Sequence, residues 1–174
     1  MRILRWLDKH LEEYIVVFLS ALATVVVSYN VFMRFVMNSS SSWAEELARF
    51  SFVWLVLIGI SYGIKRQRHI SVDAVLMLFK ARGKIIINII ANFLFLIFAV
   101  TMVYFGFEIT STTFDRGQIT PGLQIPMGAV YLAAPVGMFL ASVRLIQHIW
   151  KQITRLKTGD FEDVEEEFEE QMKQ

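Results

Sequence analysis

The chain has no cysteine among its 174 residues. That removes disulfides, thiolate nucleophiles and Cys-ligated zinc or iron–sulfur sites together, and it is neutral as to redox compartment. Histidine is scarce too: His10, His69 and His148 are the only three, and none lies in the middle of a long apolar run. A haem held in a helical bundle calls for paired histidines inside that bundle, so no cofactor is expected. Gly-rich phosphate loops, zinc-ligand spacings and Ser/His/Asp groupings are also missing, which argues against an enzyme. No nucleic-acid partner is expected. Acidic residues are absent from the middle of every long apolar run, whereas ionisable groups inside a membrane usually mark a pathway. A four-helix transporter working alone would be expected to place a carboxylate there.

What the chain has in abundance is apolar surface. Hydrophobic residues make up 55%, phenylalanine alone numbers 15, and mean hydropathy is +0.50. Several apolar runs reach the roughly 20 residues needed to cross a bilayer, which predicts an all-α membrane protein with four transmembrane helices. The spans are expected at about 14–35, 43–64, 85–107 and 127–149. They do not alternate apolar and polar residues as barrel strands do. The N-terminal run is longer than a signal-peptide core and has acids in its flank and no small-residue cleavage site, so it reads as a retained first span.

Basic residues fix the expected orientation. Arg2, Arg5 and Lys9 precede the first span. Lys65, Arg66, Arg68, Lys80, Arg82 and Lys84 lie between the second and third, and Lys151, Arg155 and Lys157 end the fourth. The connection between spans three and four has only Arg116. The positive-inside rule then puts both termini and the middle loop in the cytoplasm. Two apolar segments bounded by charge, about 2–12 and 69–80, are expected as short amphipathic helices lying at the interface. Residues 1–157 form a single membrane domain. The segment 158–174 holds eight acids and one lysine and reads as an acidic, solvated cytoplasmic tail.

Small residues recur at helical spacing: Gly59 and Gly63 in the second span, Ala133, Gly137 and Ala141 in the fourth, Ser20, Thr24 and Ser28 in the first. Asn88 and Asn92 share a face of the third. Such residues let helices approach closely or hydrogen-bond across an interface. They either hold the four helices together or face a larger membrane partner. The stretch "SSSSWAEELARF" (39–50) sets charge against lipid. Ser42 and Glu45 spell a capping box, Glu45 and Glu46 suit the positive end of a helix dipole, and Arg49 is spaced to pair with Glu45. Trp43 suits headgroup depth. Capping does not explain why two acids and an arginine continue a full turn into the span.

The run "FMRFVMNSSSSWAEELARFSFVWLVLIGISYGIKRQRHISVD", with "TPGLQIPMGAVYLAAPVG" further on, resembles the small membrane subunit of tripartite ATP-independent periplasmic (TRAP) transporters. The similarity covers roughly Tyr14 to Trp150. It implies a multi-pass subunit of the bacterial inner membrane that does not itself carry substrate. A soluble periplasmic protein would capture an organic acid, and a large multispan subunit would move it by a sodium-driven, elevator-type cycle that the small subunit braces. On that resemblance Trp43, Glu45, Glu46, Arg49, Gly59 and Gly63 are candidates for contact with the large subunit or membrane lipids. Arg34, Asp115 and Arg116 are candidates for docking the periplasmic binding protein. Sialic acid and C4-dicarboxylates are both possible cargoes, and the overall resemblance leans to sialic acid. The alternative is a membrane anchor for a respiratory or other enzyme complex.

Overall fold

Long apolar runs must satisfy their own backbone in lipid, and a helix does so within one segment. The computed structural model of the chain describes residues 2–39, 41–65 and 81–158. It contains α1 (Arg2–Phe35), α2 (Ser42–Lys65), α3 (Ala81–Asp115), a single turn α4 (Gly128–Tyr131) and α5 (Ala133–Thr158). Four segments are long and apolar enough to cross a membrane: Glu12–Phe35, Ser42–Lys65, Ile85–Asp115 and Gly128–Thr154. The predicted interfacial segment 69–80 and the acidic tail beyond Thr158 lie outside the described residues. The segment 2–12, expected as a separate helix, is continuous with the first span, since α1 runs unbroken for 34 residues.

Three boundaries depart from the sequence expectation, each for a local reason. The third helix runs to Asp115 rather than about 107. Past the hydropathic limit at Glu108, hydroxyls bond back to the carbonyl one turn earlier: Thr110 to Gly106 (2.7 Å), Thr112 to Glu108 (2.9 Å) and Thr113 to Ile109 (2.7 Å). Gly117, at φ 59°, then supplies the left-handed residue that closes many helix ends. The fourth span is broken at Leu132. Pro135 has no N–H to give the Tyr131 carbonyl and its ring crowds that oxygen, so the helix restarts with Val136 N–H bonding the Leu132 carbonyl at 3.1 Å. The second helix takes its first backbone bond at Ser41, whose carbonyl accepts from Glu45 N–H at 3.2 Å. Ser42 therefore sits inside the first turn, one residue past the position the capping box assigned to it.

The helices pack in the spatial order α1–α2–α5–α3. Only 11% of the apolar window of α1, and likewise of α3, is buried, against 33% for α2 and 44% for the fourth span. The inner pair thus carries the packing and the outer pair offers its surface to lipid or protein. One core joins Ile64 of α2, Ala99 of α3, and Met138, Ala141 and Leu145 of α5; a second joins Val26 of α1 to Ala44 and Ala48 of α2.

The small-residue patterns divide between contact and open space. The stripe Ala133, Gly137 and Ala141 is buried. A Cβ built on Gly137 would come within 2.7 Å of the Leu57 carbonyl oxygen, whereas Gly59 and Gly63 have nothing within 4 Å of theirs. Ser20, Thr24 and Ser28 also point away from neighbours, and the latter two hydroxyls close on their own helix at 2.8 Å. Gly137→Ala is accordingly expected to lower stability by about 1–3 kcal/mol through overpacking at the α2–α5 crossing. Gly59→Ala and Gly63→Ala should stay within about 0.5 kcal/mol of the parent. Melting of the three variants in one detergent checks this; equal shifts would mean that the crossing is not where the glycine matters.

Candidate functional site

Two buried carboxylates organise the two ends of the helix row. At the end carrying both termini, Glu12 of α1 is 2% exposed. Its phase on α1 puts it on the stripe of Ala23 and Val26, which are buried against α2, so the turn that packs the helix also drives the carboxylate inward. There Arg144 Nε of α5 donates to Glu12 Oε1 at 2.9 Å, and Ser61 Oγ of α2 donates to the same oxygen at 3.2 Å. Lys65 Nζ stands 3.5 Å from Oε2. A second donor of Arg144 is held by Gln147 Oε1 at 2.9 Å. Three helices meet on one carboxylate, which opposes two cations. An isolated buried charge would be strongly unfavourable, and such a group is tolerated only when paired and hydrogen-bonded.

At the opposite end, Glu46 of α2 is 5% exposed and accepts the Leu123 backbone N–H at 2.9 Å on Oε2. Gly122 backbone and the Thr120 hydroxyl also bond this carboxylate, and Arg49 adds an attractive charge. Thr120 is fully buried, and its hydroxyl oxygen accepts Ile125 N–H at 3.3 Å. The segment closes on itself through Thr120 N–H to the Ile125 carbonyl (2.9 Å) and Met127 N–H to the Gln118 carbonyl (2.8 Å). A Cβ at Gly122 would lie 3.0 Å from the Glu46 carboxylate and from the Ser42 backbone. Glycine therefore sets how closely the "TPGLQIP" turn approaches the start of α2.

The residues singled out in the sequence gather at this second end but serve different neighbours. Glu46 turns inward to the turn, while Glu45 and Arg49 are exposed. The Arg49 guanidinium lies 5.5 Å from the Phe50 ring centre. Trp43 is partly exposed and its ring sits 5.5 Å from that of Tyr29, linking α2 to α1. Arg34 in the last turn of α1, and Asp115 and Arg116 at the end of α3, are exposed at the same end. Gly59 and Gly63 lie further along α2 with open space outside. Asn92 of the third helix does reach across, to His148 Nδ1 (3.2 Å) and Gln152 Oε1 (3.3 Å) of α5. Among the described residues there is no cluster of His, Asp and Glu able to hold a metal.

Sequence reasoning missed the Glu12–Ser61–Lys65–Arg144 cluster and the part of Thr120, Gly122 and Leu123 in holding Glu46. The helical phase of Glu12 with Ala23 and Val26 was available as a signal that this acid faces inward. Nothing in a linear pattern says which cation 132 residues away will meet it.

Residues 23–155 match the family model for tripartite ATP-independent periplasmic transporters, DctQ component. The chain belongs to that family. It is 30% identical over 166 residues to the C4-dicarboxylate TRAP transporter small permease protein DctQ of Vibrio cholerae, covering 83% of this chain and 72% of that protein. It is 28% identical over 157 residues to the isethionate TRAP transporter permease protein DctMQ of Oleidesulfovibrio alaskensis, covering 87% of this chain but only 25% of that longer one. The sialic acid TRAP transporter small permease protein SiaQ of Vibrio cholerae is 35% identical over 72 residues, 41% of this chain and 42% of that protein. Membership makes this a multi-pass inner-membrane protein of the TRAP small permease type, and it favours a transport subunit over the respiratory anchor. The printed substrates differ among these relatives, so the lean towards sialic acid gains no support from them.

Proposed function

We infer that the chain is the small subunit of a TRAP transporter and braces a large, substrate-moving subunit. The complex would take up an organic acid of the sialic acid or C4-dicarboxylate class. The observation that carries this reading is the open row of helices tied at each end by a buried carboxylate. Such a row resists bending within itself while leaving the outer helices largely uncovered, as a brace requires. The DctMQ relative, whose name joins the two components in one chain, supports a large DctM-type partner. On this reading the exposed Arg49, Glu45 and Trp43, with the open Gly59–Gly63 face, contribute to contact with the large subunit or with lipid headgroups. Glu46 acts behind them by holding the turn.

Arg34, Asp115 and Arg116 would meet the periplasmic binding protein, with the cluster end cytoplasmic as the positive-inside rule requires. The deciding experiment is uptake into proteoliposomes containing both membrane subunits and the binding protein, against a panel of organic acids. Uptake is expected only with all three components and a sodium gradient. Undiminished uptake in vesicles lacking this chain would remove the brace, and uptake by this chain alone would make it a carrier. Charge reversal of Arg49 is expected to reduce recovery of the large subunit with it, measured by co-purification, without preventing membrane insertion.

A further inference from the structure

One broad face of α2 carries a groove that belongs to neither of the two ties. Ala44 and Ala48 turn to α1, and the Leu57 backbone meets Gly137 of α5. Helical phase therefore sends the stripe through Glu45, Arg49, Phe52 and Val56 outwards between those neighbours, and all four are exposed. The groove has a volume of about 580 Å³ and is lined by Arg49, Phe52, Val53, Val56 and Leu57. It is an apolar trough with one cation at its head. The same stripe runs on through Gly59 and Gly63, where a Cβ would meet nothing within 4 Å.

The charges at the head of the trough are available. Arg49 lies over the Phe50 ring and its charge acts on Glu46. Among the described residues, neither the Arg49 guanidinium nor the Glu45 carboxylate is hydrogen-bonded or ion-paired. Helix side chains lean towards the N-terminus, so the guanidinium reaches from Arg49 towards the level of Trp43, a residue type of headgroup depth. From Phe52 to Gly63 the helix rises about 16 Å, which matches one leaflet of a hydrocarbon core about 30 Å thick. Glu45 and Glu46 flank the single guanidinium, so the mouth is not net positive. A headgroup carrying its own cation complements it better than a purely anionic one.

We propose that this face of α2 holds a phosphatidylethanolamine molecule, with its phosphate on Arg49, its ammonium on Glu45 one turn further out, and an acyl chain along Phe52, Val56 and the trough at Gly59 and Gly63. This rests on the reading of Glu45 and Arg49 as partner or headgroup contacts and commits them to lipid. The planar guanidinium suits a phosphate. A primary ammonium donates hydrogen bonds to a carboxylate, whereas a quaternary choline has none to give. Each charged hydrogen bond is expected to contribute roughly tenfold in binding.

Native mass spectrometry of the purified full-length chain, titrated with phosphatidylethanolamine, phosphatidylcholine or phosphatidylglycerol of matched tails, tests this. The parent is expected to retain phosphatidylethanolamine about tenfold better than either of the others. Glu45→Gln should remove its advantage over phosphatidylcholine, and Arg49→Gln should weaken all three. Gly59→Leu, which fills the trough from open space, should lose all three while melting as the parent does. Equal retention of the three lipids by the parent, or an ethanolamine preference surviving Glu45→Gln, would overturn the site. A single cysteine made by Val56→Cys in this cysteine-free chain adds an arm in the complex with the large subunit. It is expected to be shielded from a lipid-soluble maleimide by phosphatidylethanolamine; shielding by the large subunit alone, after the lipid is stripped, would assign the face to protein contact and sink the proposal. A parent without lipid preference whose uptake still requires this chain would remove the lipid site and leave the brace standing. A preference that behaves as expected, in vesicles whose uptake does not need this chain, would do the reverse.

Discussion

Glu12→Gln is expected to destabilise the chain by about 3–5 kcal/mol, the range found when one partner of a buried ion pair is removed. The amide keeps an oxygen that can still accept from Ser61 and Arg144, so shape and one acceptor survive. What disappears is the buried negative charge that Lys65 and Arg144 share, their side chains being 20% and 10% exposed. Lys65 retains some access to water, so most of the penalty should come from Arg144. Glu12→Gln combined with Arg144→Leu is therefore expected to recover part of the loss, since the part-buried guanidinium that has lost the Glu12 charge is then removed. Melting of the single and double variants in detergent gives the coupling directly. A Glu12→Gln chain that melts with the parent would show that the three-helix tie does not hold the row together.

The second large effect is expected at the other tie and is local rather than global. Glu46→Ala removes the acceptor for Leu123 N–H and the partner of Thr120, leaving the turn 120–126 closed on its own backbone bonds and the Ile125 N–H bond to the Thr120 hydroxyl. Amide exchange at Leu123 should accelerate by roughly tenfold or more, because a hydrogen bond to a charged acceptor is among the stronger ones. Glu46→Gln keeps one acceptor oxygen and should fall between. Gly122→Val attacks the same contact from the turn side, where its Cβ would press on the Ser42 backbone, and about 1–3 kcal/mol of strain is expected. If the turn docks the binding protein, all three variants should lower uptake in the order of their exchange rates. Unchanged exchange at Leu123 in Glu46→Ala would show that the carboxylate does not hold the turn.

How much of this was legible in advance differs from feature to feature. The four spans were, because hydropathy is a property of consecutive residues and the bilayer reads it that way. The family likeness was also carried by contiguous runs. The end of α3 was not, since its helical backbone continues to Asp115, past the point where hydropathy stops, with the threonine hydroxyls there bonded back to their own helix. The break before α5 needed a particular rule about Pro135 rather than an average over a window. Glu46 was recognised as charged and close to lipid, but its depth was read as a surface turned to a partner, whereas its carboxylate is bonded to a turn 77 residues away.

The glycines make the same point from the packing side. Gly59 and Gly63 carry the spacing associated with close helix contact, yet they face open space. The lone Gly137 sits where another helix backbone arrives. A small residue permits close approach without supplying the neighbour. By itself the sequence determined that this is a four-span helical membrane protein of the TRAP small permease family, because span length, hydropathy and family motifs are all encoded in local order. Only the tertiary structure decided that the helices stand in the order α1–α2–α5–α3 and that Glu12 and Glu46 tie its ends. Which charges meet depends on helix phase and neighbour choice together, and pairing across 49 to 132 residues leaves no periodic trace in the chain.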